Sequence, residues 1–370
     1  MAYGIGFVGL GSITSVHQDG YARFGLPVVA GYDPAPQARR NFALRQPQAK
    51  VYTRLEELLD DPQVEVIDLA TPHHRPARLP IIEQVAARKK PVLIQKPMAM
   101  NYQDALAIVE ILEASGTPAM VNQNMCFIPS ALDLPRFVLE EKVLGQPFYF
   151  QMELRTLFDC TPDHWFGKDE RWWLVSHTVH QLSILHLLFG PPTQVYAITG
   201  KDPAQPGVSH DGFSHLALTY PGGLDGMLLS TGTYYGANPK PYGTEELWIQ
   251  GPQAILEWEP ECACTITHRA APDSPEKHPS RGKWFPDAFG LVMSHFQQAL
   301  SQGKTPLCSV ADNLNVMAVI EAGYLSSQRK QVVQLEEILG QRYHPTYGPG
   351  WLHGFNRWRI PAPVESSHQS

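Results

Sequence analysis

Gly4-Ile5-Gly6-Phe7-Val8-Gly9-Leu10-Gly11-Ser12-Ile13-Thr14 is the stretch whose reading decides the fold. A short apolar run ending in glycines reads as a strand buried on both faces that turns directly into a helix. Gly9 permits the tight turn, Gly11 lets backbone amides approach a ligand, and the N-terminus of the following helix favours negative charge. A second apolar run, Pro27 to Tyr32, ends on Asp33, 22 residues after Gly11. A carboxylate at that distance suits the hydroxyls of an adenosine ribose, so the two runs together predict a dinucleotide-binding βαβ unit. The same carboxylate repels a 2′-phosphate, which favours NAD over NADP, although Arg39 and Arg40 follow on the next helix. Thr14 departs from the pattern, standing where a third small residue usually lets helix and strand close up.

Working outward, strands and helices keep alternating. A strand over 64–70 runs into Thr71-Pro72-His73-His74, and a helix follows over 76–89. A strand over 91–94 then runs into Gln95-Lys96-Pro97. Asn101 reads as a helix N-cap with Asp104 three residues on, Gly116 as that helix's stop, and 119–121 as a last strand. This pattern predicts an α/β fold whose residues 1–122 form a Rossmann domain with a parallel, doubly wound sheet. Ligands gather at the C-terminal ends of such strands. Gly9, Gly11, Ser12, Ile13, Asp33, Thr71, Pro72, His73, Gln95 and Lys96 are therefore the candidate cofactor-binding residues.

Composition removes several classes of function. A formal net charge of −7 attracts neither nucleic acid nor anionic lipid, and no run approaches the eighteen or so apolar residues of a membrane span. The N-terminus shows no basic segment or cleavage site of a signal peptide. Five cysteines, an odd number, suit a reducing compartment, so the cytoplasm is expected. Cys262 and Cys264 lack the second pair a metal site needs, and no metal is expected.

Beyond residue 122 the periodicity changes. Strands are expected over 146–155, 194–199, 213–220, 224–233, 246–250, 254–259 and 262–268, with turns at Gly222-Gly223 and Gly251-Pro252. A helix over 174–189 places Ser176, His180 and Ser183 on one face, with His177 beside them. Arg155, Trp165, Trp173, Ser176, His177 and His180, with Lys96, are the candidate substrate-binding residues. Two helices, over 285–302 and 310–328, precede a tail over 334–370 that the pattern does not place.

The chain resembles the Gfo/Idh/MocA family of sugar, inositol and related dehydrogenases. The resemblance rests on Gly9-Leu10-Gly11-Ser12-Ile13 with His17, on Ala70-Thr71-Pro72-His73-His74, and on Gln95-Lys96-Pro97. Asn124 with Phe127 and Pro129, the helix around His180, and Ser326 to Val333 complete it. It implies a second α/β domain over 123–333 with an open, mainly antiparallel sheet, and a homodimer or homotetramer built through that sheet. It implies that the domain's C-terminal helix packs back on the Rossmann domain. It also adds Asn124 to the cofactor site and makes Lys96 and His180 the catalytic pair in oxidation of a secondary hydroxyl of a sugar, sugar acid, glycoside or cyclic polyol.

Three departures stand out. Gln95 replaces the family's glutamate, which leaves the charged form of Lys96 less favoured. Ser176, Thr178 and Ser183 replace the acidic and small residues around His180, and Cys126 takes the place of an arginine. Two other readings stay open on these departures: a glycoside hydrolase that recycles NAD through oxidation, elimination, water addition and reduction, and a non-catalytic dinucleotide-binding regulator.

Overall fold

The structure, a computed structural model, describes residues 2–164, 166–237, 243–343 and 363. It divides into two compact units. The first holds residues up to Phe127 together with Lys283–Leu314, and the second holds Ile128–Gly282 with the chain from Asn315.

Six strands build the sheet of the first unit: β1 (Ile5–Val8), β2 (Val28–Tyr32), β3 (Lys50–Tyr52), β4 (Val66–Leu69), β5 (Val92–Gln95) and β6 (Ala119–Asn122). All pair in parallel, in the order β3-β2-β1-β4-β5-β6. That is the doubly wound order, whose direction reverses between β1 and β4. β1, β4, β5 and β6 are buried at every position, which is why their sequences are continuous apolar runs. β3, at the edge and with two of its three residues exposed, carries no such signal, and sequence periodicity misses it.

The crossovers are α1 (Ile13–Arg23), α2 (Pro36–Arg45), α3 (Leu55–Asp60), α4 (Arg75–Ala87) and α5 (Tyr102–Ser115). α5 begins and ends as its sequence implies: Asn101 accepts the Asp104 N–H, and Gly116 is left-handed with φ 66°. Thr14 fits the tight start of α1 because its hydroxyl folds back onto the Gly11 carbonyl at 2.7 Å.

The second unit is a nine-stranded sheet. β7 (Tyr149–Arg155), β8 (Gln194–Gly200), β9 (Phe213–Tyr220), β10 (Leu224–Thr231), β11 (Thr244–Gln250), β12 (Ala254–Trp258), β13 (Ala263–His268) and β14 (Glu276–Pro279) supply eight of the strands. α6 (Val179–Phe189) lies between β7 and β8 in sequence. After β14 the chain forms α7 (Phe289–Gln302) and α8 (Val310–Arg329), and the division between units falls within α8. The ninth strand is β15 (Val333–Gln334), followed by the one-turn α9 (Glu336–Leu339). The order is β14-β13-β12-β11-β7-β10-β9-β8-β15, antiparallel throughout except for the parallel pair β7–β10. Phe150, Met152 and Leu154 of β7 are buried while Tyr149, Gln151, Glu153 and Arg155 alternate with them on the opposite, open face. β15 shows that the tail after residue 333 starts by extending this sheet; residues 344–362 of the tail lie outside the described residues.

α7 belongs to the first unit, where it packs on α1. A Cβ on Gly20 of α1 would lie 2.7 Å from the Gly290 amide and 2.7 Å from the Pro286 carbonyl, so two glycines set how close these helices come. Among the described residues no helix is long and apolar enough to cross a membrane.

Candidate active site

The glycine loop after β1 is built around one positive φ. Gly9 sits at φ 92°, and a Cβ there would meet the Ala70 carbonyl oxygen at 2.5 Å, so the turn admits only glycine. The Gly9 amide is taken by Tyr32 O and that of Leu10 by Asp33 Oδ2, at 2.9 and 2.8 Å. The second Asp33 oxygen accepts the Ala35 amide at 2.7 Å. Asp33 is therefore fixed at the end of β2 as an acceptor of two backbone amides, facing the loop. Among the described residues a Cβ on Gly11 would meet nothing within 4 Å, so the position at the head of α1 is open on that side. Ser12 and Ile13 form that head, and the first N–H groups of a helix have no partner within it. Arg39 is held on the carbonyls of Asp33 and Pro34, at 2.7 and 3.0 Å.

Two further loops leave the same edge of the sheet. The loop after β4 carries Thr71, Pro72 and His73; the one after β5 carries Lys96, beyond Gln95 at the strand's end. Thr71 Oγ1 is buried and makes no hydrogen bond among the described residues. Gln95 is buried, and its Oε1 accepts the Lys96 amide at 3.1 Å, so the residue in the glutamate position orients the lysine's backbone. Lys96 itself is half-buried and joined to Pro97 by a cis peptide bond. His73 is held neutral: its pKa is lowered well below the usual histidine value by burial, then by the nearby charges of Arg78 and Lys96. Since an arginine only donates, Arg78 Nη2 at 2.8 Å from His73 Nδ1 makes that nitrogen the acceptor and leaves the proton on Nε2.

Asn124 is buried, and its Oδ1 accepts from Trp284 Nε1 at 2.7 Å. One side of its amide thus ties the loop after β6 to the Lys283–Leu314 segment of the same unit. His17, in α1, is wholly buried and hydrogen-bonds Asp68 of β4 at 2.8 Å through Nδ1 and Asn122 at 3.3 Å through Nε2. Tyr21 donates to the same Asp68 oxygen at 2.5 Å. Burial first, and then the Asp68 charge, push the Tyr21 phenol well above its usual range, so it stays a donor.

In the second unit the histidine-bearing segment differs from the single helix expected. Trp173–His177 is one π turn, and α6 begins only at Val179. The start is capped by Asp211, buried and remote in sequence, whose oxygens accept the amides of Trp172, Trp173 and Leu174 at 2.7 to 3.0 Å. Tyr324 of α8 donates to the same carboxylate. Trp173 is wholly buried with its indole N–H on Ser230 Oγ at 2.9 Å, which makes it a core side chain rather than the substrate contact expected. What it does is support His177, whose ring stacks on it at 4.2 Å and 8°, with Phe158 edge-on at 4.7 Å. Ser176 and His180 are buried, at 4% and 9% exposure. Ser183 is spent inside the helix, its hydroxyl on Val179 O at 2.7 Å, so it does not replace an acid.

Arg155 also departs from expectation. It lies on the open face of the sheet, paired with Glu153 at 3.0 Å and set over the Tyr234 ring, whereas Trp173 and its Ser230 partner belong to the buried face. Strand alternation put it there, and the same alternation in the sequence should have said so. Trp165 lies outside the described residues. Arg78 and Asp211, the two charged residues that organise these loops, escape a motif-based reading. Arg78 does have a signal: it falls in the same buried stripe of α4 as Ile82, Val85 and Ala86.

Comparison with known proteins agrees with the fold and with a dinucleotide cofactor. Residues 3–123 match the model of an oxidoreductase family's NAD-binding Rossmann fold, and residues 136–335 match that family's C-terminal alpha/beta domain. The chain is similar to a D-apiose dehydrogenase of Paraburkholderia graminis, 24% identical over 300 residues that cover 78% of each protein. Among solved structures it is similar to an oxidoreductase from Agrobacterium radiobacter in complex with NAD+, L-tartaric acid and magnesium. That likeness has a TM-score of 0.81 and 22% identity, over 92% of this chain and all of that one. Levoglucosan dehydrogenase in complex with NADH and levoglucosan also superposes with a TM-score of 0.81, at 18% identity over 90% of this chain and all of that one. The chain belongs to the Gfo/Idh/MocA family of NAD-dependent oxidoreductases.

Proposed function

We propose that this protein oxidises a secondary hydroxyl of a sugar, sugar acid, glycoside or cyclic polyol. The observation that carries the reading is the fixed loop edge of the first sheet. Gly9, Asp33 and the buried Thr71 hydroxyl, which has no partner among the described residues, fit a dinucleotide, and Lys96 stands at the end of the neighbouring strand. The dehydrogenases of D-apiose and levoglucosan among its relatives support the substrate class.

When bound, NAD⁺ supplies the hydride acceptor. Asp33 receives the ribose hydroxyls, and Gly11, Ser12 and Ile13 offer amides to the pyrophosphate at the head of α1. Lys96 places a positive charge on the hydroxyl oxygen as it becomes a carbonyl, and His180 takes its proton. His73, neutral and with its proton on Nε2, is a donor to the dinucleotide and adds no charge. His177, braced by Trp173, and Ser176 contact the sugar.

Lys96→Ala and His180→Ala test the assignment. Each should lower turnover by about 10²–10⁴ while NADH affinity stays near wild type. Wild-type turnover in either variant removes that residue from the chemistry.

The open face of the nine-stranded sheet, where Tyr196 and Ile198 are exposed, is the surface through which we infer that two or four copies associate. Light scattering on Ile198→Lys should show a smaller species; an unchanged mass assigns the assembly elsewhere.

A further inference from the structure

Arg78 is a charged side chain with no exposure at all. Its place in the apolar stripe of α4 carries the guanidinium inward beneath the sheet's C-terminal edge. Among the described residues no carboxylate meets it there; burial alone moves its pKa. Nη1 donates to the carbonyls of Gln95, Pro97 and Met98 at 3.0, 2.6 and 3.0 Å, and Nη2 donates to Thr71 O at 2.6 Å and to His73 Nδ1 at 2.8 Å. Burial lowers its pKa to about 9, which still leaves it charged at neutral pH. Removing such an ion from water is costly, and only well-aimed acceptors offset it. Four of the five acceptors lie in the two loops that follow β4 and β5, and the fifth is the carbonyl of Gln95, the last residue of β5.

We propose that Arg78 is a positioning residue for the cofactor site: it ties the 71–74 loop to the 95–98 loop and so sets where Thr71, His73 and Lys96 present themselves to the dinucleotide. The carbonyls on either side of Lys96, those of Gln95 and Pro97, are both fixed by one planar fork. A change in Arg78 therefore moves the lysine's backbone without touching its side chain. The same fork dictates which nitrogen of His73 carries the proton. A lysine could replace the charge but not the geometry, since its single ammonium has three donors and cannot span both loops. The proposal rests on the reading that these loops meet the dinucleotide, and it goes beyond that reading by giving the arrangement a cause.

The test uses the full chain with Arg78→Gln and Arg78→Lys, and Leu58→Ala as a control that removes wholly buried side-chain volume on α3. NADH affinity is measured by fluorescence titration, and amide hydrogen exchange is followed at 71–74 and 95–98. Arg78→Gln should weaken NADH binding about ten- to a hundredfold and speed exchange in both loops. Arg78→Lys should recover part of the affinity. Leu58→Ala should lower the melting temperature with NADH affinity near wild type. A folded Arg78→Gln protein that binds NADH within about twofold of wild type overturns the proposal, as does exchange that rises in one loop only. Should the glutamine variant not fold, Arg78→Lys decides by the same two readouts, with full wild-type affinity counting against. Failure of the wild-type protein to bind NADH would instead refute the reading of the loops themselves.

Discussion

Asp33 Oδ2 accepts the backbone N–H of Leu10 at 2.8 Å, so the carboxylate that ends β2 is fastened to the glycine loop that ends β1. One side chain thereby fixes the loop's shape and presents negative charge where the adenosine ribose would lie. Asp33→Ala should loosen the loop and remove the repulsion toward a 2′-phosphate. NADH affinity should fall about tenfold or more, the range for loss of a charge-assisted hydrogen bond, while discrimination against NADPH narrows. Titration with both reduced cofactors checks this, and retained discrimination would show that another residue selects NAD.

Asp211 accepts the amides of Trp172, Trp173 and Leu174 at the start of the π turn and the Tyr324 hydroxyl. Burial, and then the Asp211 charge, keep that phenol protonated well above its usual range. Asp211→Asn turns an amide N–H₂ toward donors and should cost about 2–4 kcal/mol, whereas Tyr324→Phe, which removes one bond, should cost about 1 kcal/mol. Urea denaturation of both variants measures the difference. Equal costs would mean that the carboxylate is not the keystone of this turn.

His295 of α7 is buried, its Nε2 accepts the Leu307 amide at 2.9 Å, and burial pushes its pKa down to about 3. The fold therefore holds it neutral, while the unfolded chain takes up a proton near the ordinary value of about 6.5. Stability is full above about pH 6.5 and is lost as pH falls from there toward 3, because the unfolded state binds the extra proton. His73, shifted in the same direction, adds to the loss. His295→Gln offers an acceptor to the Leu307 amide without a titrating ring, so its melting temperature should fall less than wild type between pH 6.5 and 4. Parallel curves would assign the acid sensitivity to other groups.

Arg155 on the open face pairs with carboxylates that are themselves part exposed. Arg155→Ala should change stability by no more than about 1 kcal/mol and leave substrate KM unaltered. A raised KM in steady-state kinetics would return Arg155 to the substrate site.

Much of the first unit was legible because strands buried on both faces have to be apolar throughout, and because glycine at φ 92° is a steric necessity at position 9. β3 and β14 were not, since edge strands such as Lys50–Tyr52 and Glu276–Pro279 need no apolar residues to pair. The π turn at Trp173–His177 was hidden for a different reason. Its cap, Asp211, lies more than thirty residues downstream, so nothing local announces it. Trp173 and Arg155 were misread because an aromatic or a cation near a candidate histidine looks functional until burial and strand facing are known. Arg78 shows the converse, a charge that patterning places inside and that surface habit places outside.

The most direct test follows NADH absorbance while the purified protein meets NAD⁺ and a panel of monosaccharides, uronic and sulfonated sugars, inositols and glycosides, with Lys96→Ala in parallel. Sustained NADH production on one substrate, absent in the variant, is the result expected. Production that persists in Lys96→Ala would contradict the catalytic assignment. No NADH from any member of the panel, by a protein that binds NADH, would contradict the proposed substrate class.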